Sequence, residues 1–146
     1  MTPPEYAPSP RDWVREQVEL YESSGGTQGT TLRETGLPVV LLTMTGHKSG
    51  DIRKVPLMRV VSDGKYIAVA SVGGAPKHPA WYRNLQKHPE ITLRDRTEVM
   101  QVRAREVSDP AERARIWTDA VAAFPPYADY QVKTERQIPV FVLEPV

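Results

Sequence analysis

This sequence predicts a small β-barrel with helices packed against its outside. Three observations point to it. The chain has 146 residues, which fits one domain with a sizeable core. Short apolar runs of strand length recur along it, separated by turn signals such as Ser62-Asp63-Gly64-Lys65. Two stretches carry a helix-start signal followed by an apolar stripe. Together these give a mainly β protein with flanking helices, an α+β chain of about six mostly antiparallel strands and three helices.

Composition narrows the function classes. Apolar residues make up 40% and charged residues 25%, as in a soluble globular protein. The net charge of +1 lacks the basic excess of a nucleic-acid binder, although a local basic groove stays open. Cysteine is absent, which removes disulfides, thiolate nucleophiles and cysteine metal sites and is compatible with a reducing cytosol. The N-terminus has no apolar signal region, and no apolar run nears the ~18 residues of a membrane span. A cytoplasmic setting is therefore expected, and no metal site is. With no internal repeat, residues 1–146 read as one domain.

Residues 1–8 are proline-rich and read as an irregular arm. Ser9-Pro10-Arg11-Asp12 then reads as a capped helix start, with the helix running over 9–23. Its apolar face holds Trp13, Val14, Val18, Leu20 and Tyr21. That face suits a helix covering a sheet, roofing a greasy site, or lying weakly on the inner membrane surface. The mixed charges of Arg11, Arg15, Glu16, Glu19 and Glu22 weigh against the membrane. The polar connector 23–30 has the composition of a lid. From residue 36 onward the barrel is expected.

Val39 to Thr45 is a dense apolar strand. Arg53 to Val61 reads as a second, with Pro56 marking it as an edge. Tyr66 to Ser71 is a third, so the three form a meander. A short helix around Trp81 and Leu85 ends before Pro89. Ile91–Leu93 and Val99–Val107 form a hairpin around Asp95-Arg96, and Asp109-Pro110-Ala111-Glu112 is a second capping box. Tyr127 and Tyr130 share a face if their segment is helical, packing in the core or walling a site for a flat substrate. Ile138 to Leu143 is the last strand.

The stretch Thr45-Gly46-His47-Lys48-Ser49-Gly50-Asp51-Ile52-Arg53 joins the first two strands. Two glycines permit a sharp turn, while Lys48, Arg53, His47 and the Ser49 hydroxyl sit beside several backbone N–H groups. Such a concave cluster suits an anion, above all a phosphate. Ordinary turn chemistry would use the same residues. It is not a Walker A loop, because His47 separates Gly46 from Lys48.

Several short patterns occur in order from about residue 39 to the end. They are Leu41-Leu42-Thr43 with Thr45-Gly46, Lys48-Ser49-Gly50 and Arg53, then Pro56-Leu57. Ala70-Ser71, Gly73-Gly74-Ala75 and Lys77 follow, then Pro79, Trp81-Tyr82 and Asn84. Tyr127, Tyr130-Gln131, Arg136, Ile138-Pro139-Val140 and Glu144-Pro145 complete the set. In this set the chain resembles the deazaflavin-dependent nitroreductase and quinone reductase family of actinobacteria. The resemblance implies a split β-barrel of the FMN-binding-like kind, binding coenzyme F420, an 8-hydroxy-5-deazaflavin with a phosphodiester and a glutamate tail. It implies cofactor contacts from His47, Lys48, Ser49, Arg53, Lys54, Val55, Pro56, Leu57 and Met58. It adds Val69, Ala70, Ser71 and Val72, then Ala80, Trp81, Tyr82, Arg83 and Asn84, and lastly Tyr130. The nitroreductase branch has another cation at the His47 position, a lysine at Val72 and a methionine at Ala80. A less basic tail groove and a roomier pocket are therefore expected here.

The activity so implied is hydride transfer from reduced F420 to a quinone or nitroaromatic. The open ring face would be roofed by Tyr127, Tyr130 and Trp13, and the Ser71 or Tyr130 hydroxyl would bond the oxygen that gains charge. Two alternatives stand beside it: FMN on the same architecture, and a carrier that binds the deazaflavin without catalysis. Monomer and dimer both remain open.

Overall fold

The computed structural model describes residues 5–32, 35–71 and 74–146. Of the predicted site residues, only Val72 lies outside them. The elements are α1 (Asp12–Ser23), β1 (Val39–Thr45), β2 (Ile52–Met58), β3 (Val60–Ser62), β4 (Lys65–Val69), α2 (Ala80–Lys87), β5 (Glu90–Asp95), β6 (Glu98–Glu106), α3 (Pro110–Ala123), α4 (Pro126–Lys133) and β7 (Val140–Pro145). All strand pairs are antiparallel, in one seven-stranded sheet of order β2-β1-β5-β6-β7-β4-β3.

β2 and β3 form opposite edges of this sheet, yet only Arg59 separates them in the chain. The sheet must therefore curl until its edges meet. This corrects the reading of 53–61 as one strand within a three-stranded meander. β2 pairs with β1, whereas β4 pairs with β3 and β7. The break falls at Arg59, whose N–H donates to the Pro38 carbonyl at 3.0 Å and holds the chain as it crosses over. Seven strands result, one more than expected, and α4 is a fourth helix.

Both faces of the sheet are covered. Val39 and Leu41 pack with Val18, Tyr21, Ile116 and Ala120 from α1 and α3. Leu42 and Met44 pack on the other face with Trp81, Tyr82 and Leu85 of α2. A strand buried on both sides has no polar alternation, which explains the unbroken apolar run of β1.

Asp109 caps α3 as expected, accepting the Glu112 N–H at 3.2 Å. α1 departs from expectation: it begins at Asp12, and Ser9 instead accepts the Arg11 N–H at 3.2 Å. The chain before it is engaged with β2. Ile52 N–H donates to the Glu5 carbonyl at 2.8 Å, and Ala7 N–H to the Ile52 carbonyl at 2.9 Å. Part of the expected irregular arm is thus paired to the sheet edge. The apolar face of α1 is turned into the protein at Val18 and Tyr21, which are buried, whereas Leu20, expected on that face, is exposed.

The connector 23–30 packs against the β5–β6 turn. Gly26 has φ +86° and lies so close to the Arg96 carbonyl that a Cβ would overlap it. Both the left-handed backbone and the missing side chain are required there. Gly26→Ala should cost about 2 kcal/mol or more, lowering the thermal midpoint by about 6 °C. A calorimetric scan checks this, and an unchanged midpoint would contradict the packing.

Candidate functional site

An open groove of about 950 Å³ runs between the loop after β1, the edge strand β2, the end of β4, the start of α2, α4, and the segment leading into α1. Its floor follows from strand alternation. Gly46 N–H reaches the Asp51 carbonyl at 2.7 Å, and Arg59 N–H reaches Pro38, so residues 51 and 59 face β1. Ile52 faces away, towards Glu5 and Ala7. In an unbroken antiparallel register, Arg53, Val55 and Leu57 therefore bond β1, while Lys54, Pro56 and Met58 turn their backbone groups to the open edge. Pro56 sits where its missing N–H removes no ladder bond. The edge offers two N–H donors, from Lys54 and Met58, and three carbonyls beside the groove.

The loop is held on α2. Asn84, buried, accepts the His47 backbone N–H at 2.9 Å and lies 2.7 Å from His47 Nδ1. Its own amide donates to Met44 Sδ at 3.5 Å, and Lys87 Nζ donates to the His47 carbonyl at 3.1 Å. Gly50, at φ +75°, closes the turn with its N–H on the Gly46 carbonyl at 3.0 Å. Ser49 Oγ accepts the Asp51 N–H at 3.2 Å, leaving the hydroxyl hydrogen to donate outward. Lys48 has no carboxylate partner among the described residues, whereas Arg53 donates to the Ala7 carbonyl at 3.4 Å. Lys54 differs: its Nζ is 2.7 Å from Glu22 of α1 and 4.5 Å from the centre of the Tyr6 ring. It fastens α1 to β2, so its place beside the groove is as backbone edge rather than as a cation for a ligand.

One wall carries Ser71, which is buried. Arg136 fixes this wall. Its guanidinium donates to the carbonyls of Ala70 at 3.1 Å, Ser71 at 2.8 Å and Ala75 at 2.9 Å, and reaches His78 Nδ1 at 3.1 Å. Arginine only donates, so His78 accepts at Nδ1 and carries its hydrogen on Nε2. Desolvation, then the charges of Arg136 and Arg83, lower the pKa of His78 below the ordinary histidine value. Gly74, at φ +82°, lets this segment pack on α4: a Cβ there would stand 2.7 Å from the Tyr130 carbonyl oxygen.

The opposite wall is aromatic. Phe124 and Tyr127 meet edge to face at 5.0 Å between ring centres, and Tyr127 and Tyr130 at 6.2 Å. Tyr127 is only 5% exposed and its hydroxyl has no hydrogen-bond partner among the described residues. No fully buried side-chain oxygen there lacks a partner, so the hydroxyl keeps some exposure, on a residue that lines the groove. Burial, with a smaller contribution from Tyr130, raises its pKa well above the ordinary tyrosine range, so it remains a proton donor.

The groove brings together His47, Lys48, Ser49, Arg53 to Met58, Val69, Ser71, Ala80, Trp81, Asn84, Tyr127 and Tyr130. Ala70, Tyr82 and Arg83 do not line it. Ala70 is fully buried. Tyr82 donates to Glu106 at 2.8 Å, and burial followed by that carboxylate pushes its hydroxyl up to about 12. Arg83 donates to Gln86 at 2.9 Å. Sequence reasoning left out Leu32, Val39, Ala75 and Phe124, which also line the groove. Phe124 had a local signal, its place in the aromatic stretch; the others are brought in only by tertiary packing.

Residues 13–145 match the family described as F420H(2)-dependent quinone reductase. The chain belongs to that family. A Mycobacterium tuberculosis protein provisionally named an F420H(2)-dependent quinone reductase is 37% identical over 109 residues, covering 75% of this chain and 91% of its own. A solved structure described as an F420-H2 dependent reductase is 53% identical, covers 73% of this chain and 94% of its own, and has a TM-score of 0.68. Another, described as a domain-swapped dimer, is 50% identical, covers 93% and 100%, and has a TM-score of 0.71. The protein is thus an oxidoreductase whose cofactor is coenzyme F420, which answers both the FMN and the carrier alternatives, and its curled sheet is the split barrel of that family.

The donor set fits this cofactor. Lys48, Arg53 and the Ser49 hydroxyl suit its anionic part, and the open β2 edge offers donors and acceptors to a flat heterocycle. Lys48→Ala is expected to weaken F420 binding about tenfold in a fluorescence titration, with more salt narrowing the gap. Arg136→Ala should cost about 3 kcal/mol in chemical denaturation by leaving several carbonyls unpaired. A loss below about 1 kcal/mol would mean that water replaces the guanidinium freely.

Proposed function

We propose that this groove is the reaction site, and that a flat electron acceptor lies there between the cofactor on the β2 edge and the Tyr127–Tyr130 wall. Quinones are the first substrate class and nitroaromatics the second. Bound there, reduced F420 supplies a hydride and little one-electron chemistry. The chain's own groups do the rest. Lys48, Ser49 and Arg53 hold the anionic part, and the backbone of Lys54 to Met58 holds the ring edge. Trp13, Phe124, Tyr127 and Tyr130 confine the acceptor and exclude water.

One observation carries this reading: Tyr127 is a buried ring on the groove whose hydroxyl keeps some exposure and has no hydrogen-bond partner among the described residues. A donor placed there stabilises the oxygen that gains charge as the acceptor is reduced. Tyr130 and Ser71, on either side of the Gly74 contact, are the supporting donors. The small side chain of Ala80 leaves room for a bulky acceptor.

The likeness to a domain-swapped dimer supports a dimer here as well, to be checked by light scattering. No helix among the described residues is long and apolar enough to cross a membrane. A cytoplasmic setting is part of the proposal. Membrane contact through α1 is not, since most of its apolar face is turned inward: Val18 and Tyr21 are buried, and Trp13 and Val14 line the groove, which leaves only Leu20 of that face exposed.

Tyr127→Phe removes one oxygen and keeps the ring. It should lower kcat with menadione about 30-fold while the F420 dissociation constant stays within about twofold. Tyr130→Phe should lower kcat by a smaller factor. Equal loss of turnover and cofactor affinity would contradict these roles.

A further inference from the structure

The contact between His47 and Asn84 fixes more than the loop. An amide oxygen only accepts, and Asn84 Oδ1 already takes the His47 backbone N–H at 2.9 Å. The ring Nδ1, 2.7 Å from the same oxygen, must therefore carry a hydrogen. The Asn84 orientation is itself set, because its Nδ2 donates to Met44 Sδ. With Nδ1–H fixed, Nε2 is the nitrogen that gains or loses the titrating proton. It lies across the ring from Asn84, on a side chain that lines the groove.

A bare Nε2 presents a lone pair, which repels an anion's oxygen. A protonated Nε2 presents a charged donor, which holds it. The two forms thus differ sharply in their affinity for an anion. The charged groups about the loop are Lys48, Asp51 and Arg53 from its own chain segment, and Lys87 from α2, whose Nζ holds the His47 carbonyl at 3.1 Å. His47 alone in this cluster has an imidazole, a side chain that can take up or release a proton at a ring nitrogen.

We propose that His47 is a proton-linked anchor for the anionic part of coenzyme F420, taking up a proton at Nε2 as the coenzyme binds. The inference rests on the reading of the groove as the cofactor site. Its consequence is that cofactor affinity falls as pH rises, because binding must then draw a proton from solvent. One linked proton weakens binding by up to about tenfold per pH unit. A lysine or arginine at this position would bind without that dependence. Retention of reduced cofactor would then follow the pH around the protein.

The test is calorimetric and fluorimetric titration of the protein with coenzyme F420 between pH 6 and 8.5. Buffers of differing ionisation enthalpy are used, and phosphate is avoided. The wild-type dissociation constant should rise about tenfold across the range, with proton uptake on binding. His47→Asn should show a rise of about twofold or less, and H47R should bind with a flat pH profile and more tightly than wild type at pH 8.5. The coenzyme's own ring hydroxyl also titrates, and the difference between wild type and variants removes it. A variant slope equal to that of wild type, or a flat wild-type profile with binding intact, would overturn the proposal. A wild type that binds no F420 at any pH would overturn the groove reading, and this inference with it.

Discussion

Met58 and Val60 belong to opposite edges of one seven-stranded sheet, and a single residue joins them. That covalent constraint forces the sheet to curl. Curling brings the end of β4 across from the loop after β1, so Ser71 and the 46–49 turn share one groove. Among the described residues, it also leaves β2 without a backbone partner on its outer side beyond Ile52. The groove is thus the place where the barrel stops short of closing. Its floor is unpaired backbone, which native proteins normally cover. Among the described residues the N-terminal arm pairs with Ile52 alone, and the proposed cofactor would cover the rest.

Much of this was legible in the residues. The glycine-cation loop, Pro56 on an edge strand and the Asp109 cap each have a local physical cause. The loop at 46–53 and the Tyr127–Tyr130 pair line one groove, as the family resemblance implied. What the residues could not show was the crossover at Arg59. Periodicity reads 53–61 as continuous, because apolar residues recur on both sides of Arg59. Nor could they show that Lys54 is spent on Glu22, or that the glycine connector is fixed against Arg96 rather than acting as a lid. Each depends on a partner far away in sequence.

Two arginines brace the groove from outside its lining. Arg136 and Arg113 sit part-buried with carbonyls and amide oxygens, rather than carboxylates, as their acceptors. Desolvation lowers the pKa of both, and neither approaches loss of charge near neutral pH. Gln131 links them: it accepts the Ile138 N–H at 3.0 Å and donates to the Arg136 carbonyl at 2.8 Å. This network ties the Ser71 wall to the helix bearing the tyrosines. The spacing between the donors on the two walls is therefore set by hydrogen bonds outside the groove, so its geometry exists before any acceptor arrives.

The central claim is that the open edge of β2 seats the cofactor. Residue-resolved amide hydrogen exchange, with and without coenzyme F420, tests it most directly. Saturating coenzyme should slow exchange at the Lys54 and Met58 amides, at least about tenfold, and leave the β5–β6 ladder unchanged. Binding of F420 with no added protection at those two amides would contradict the account, because the ring would then lie elsewhere.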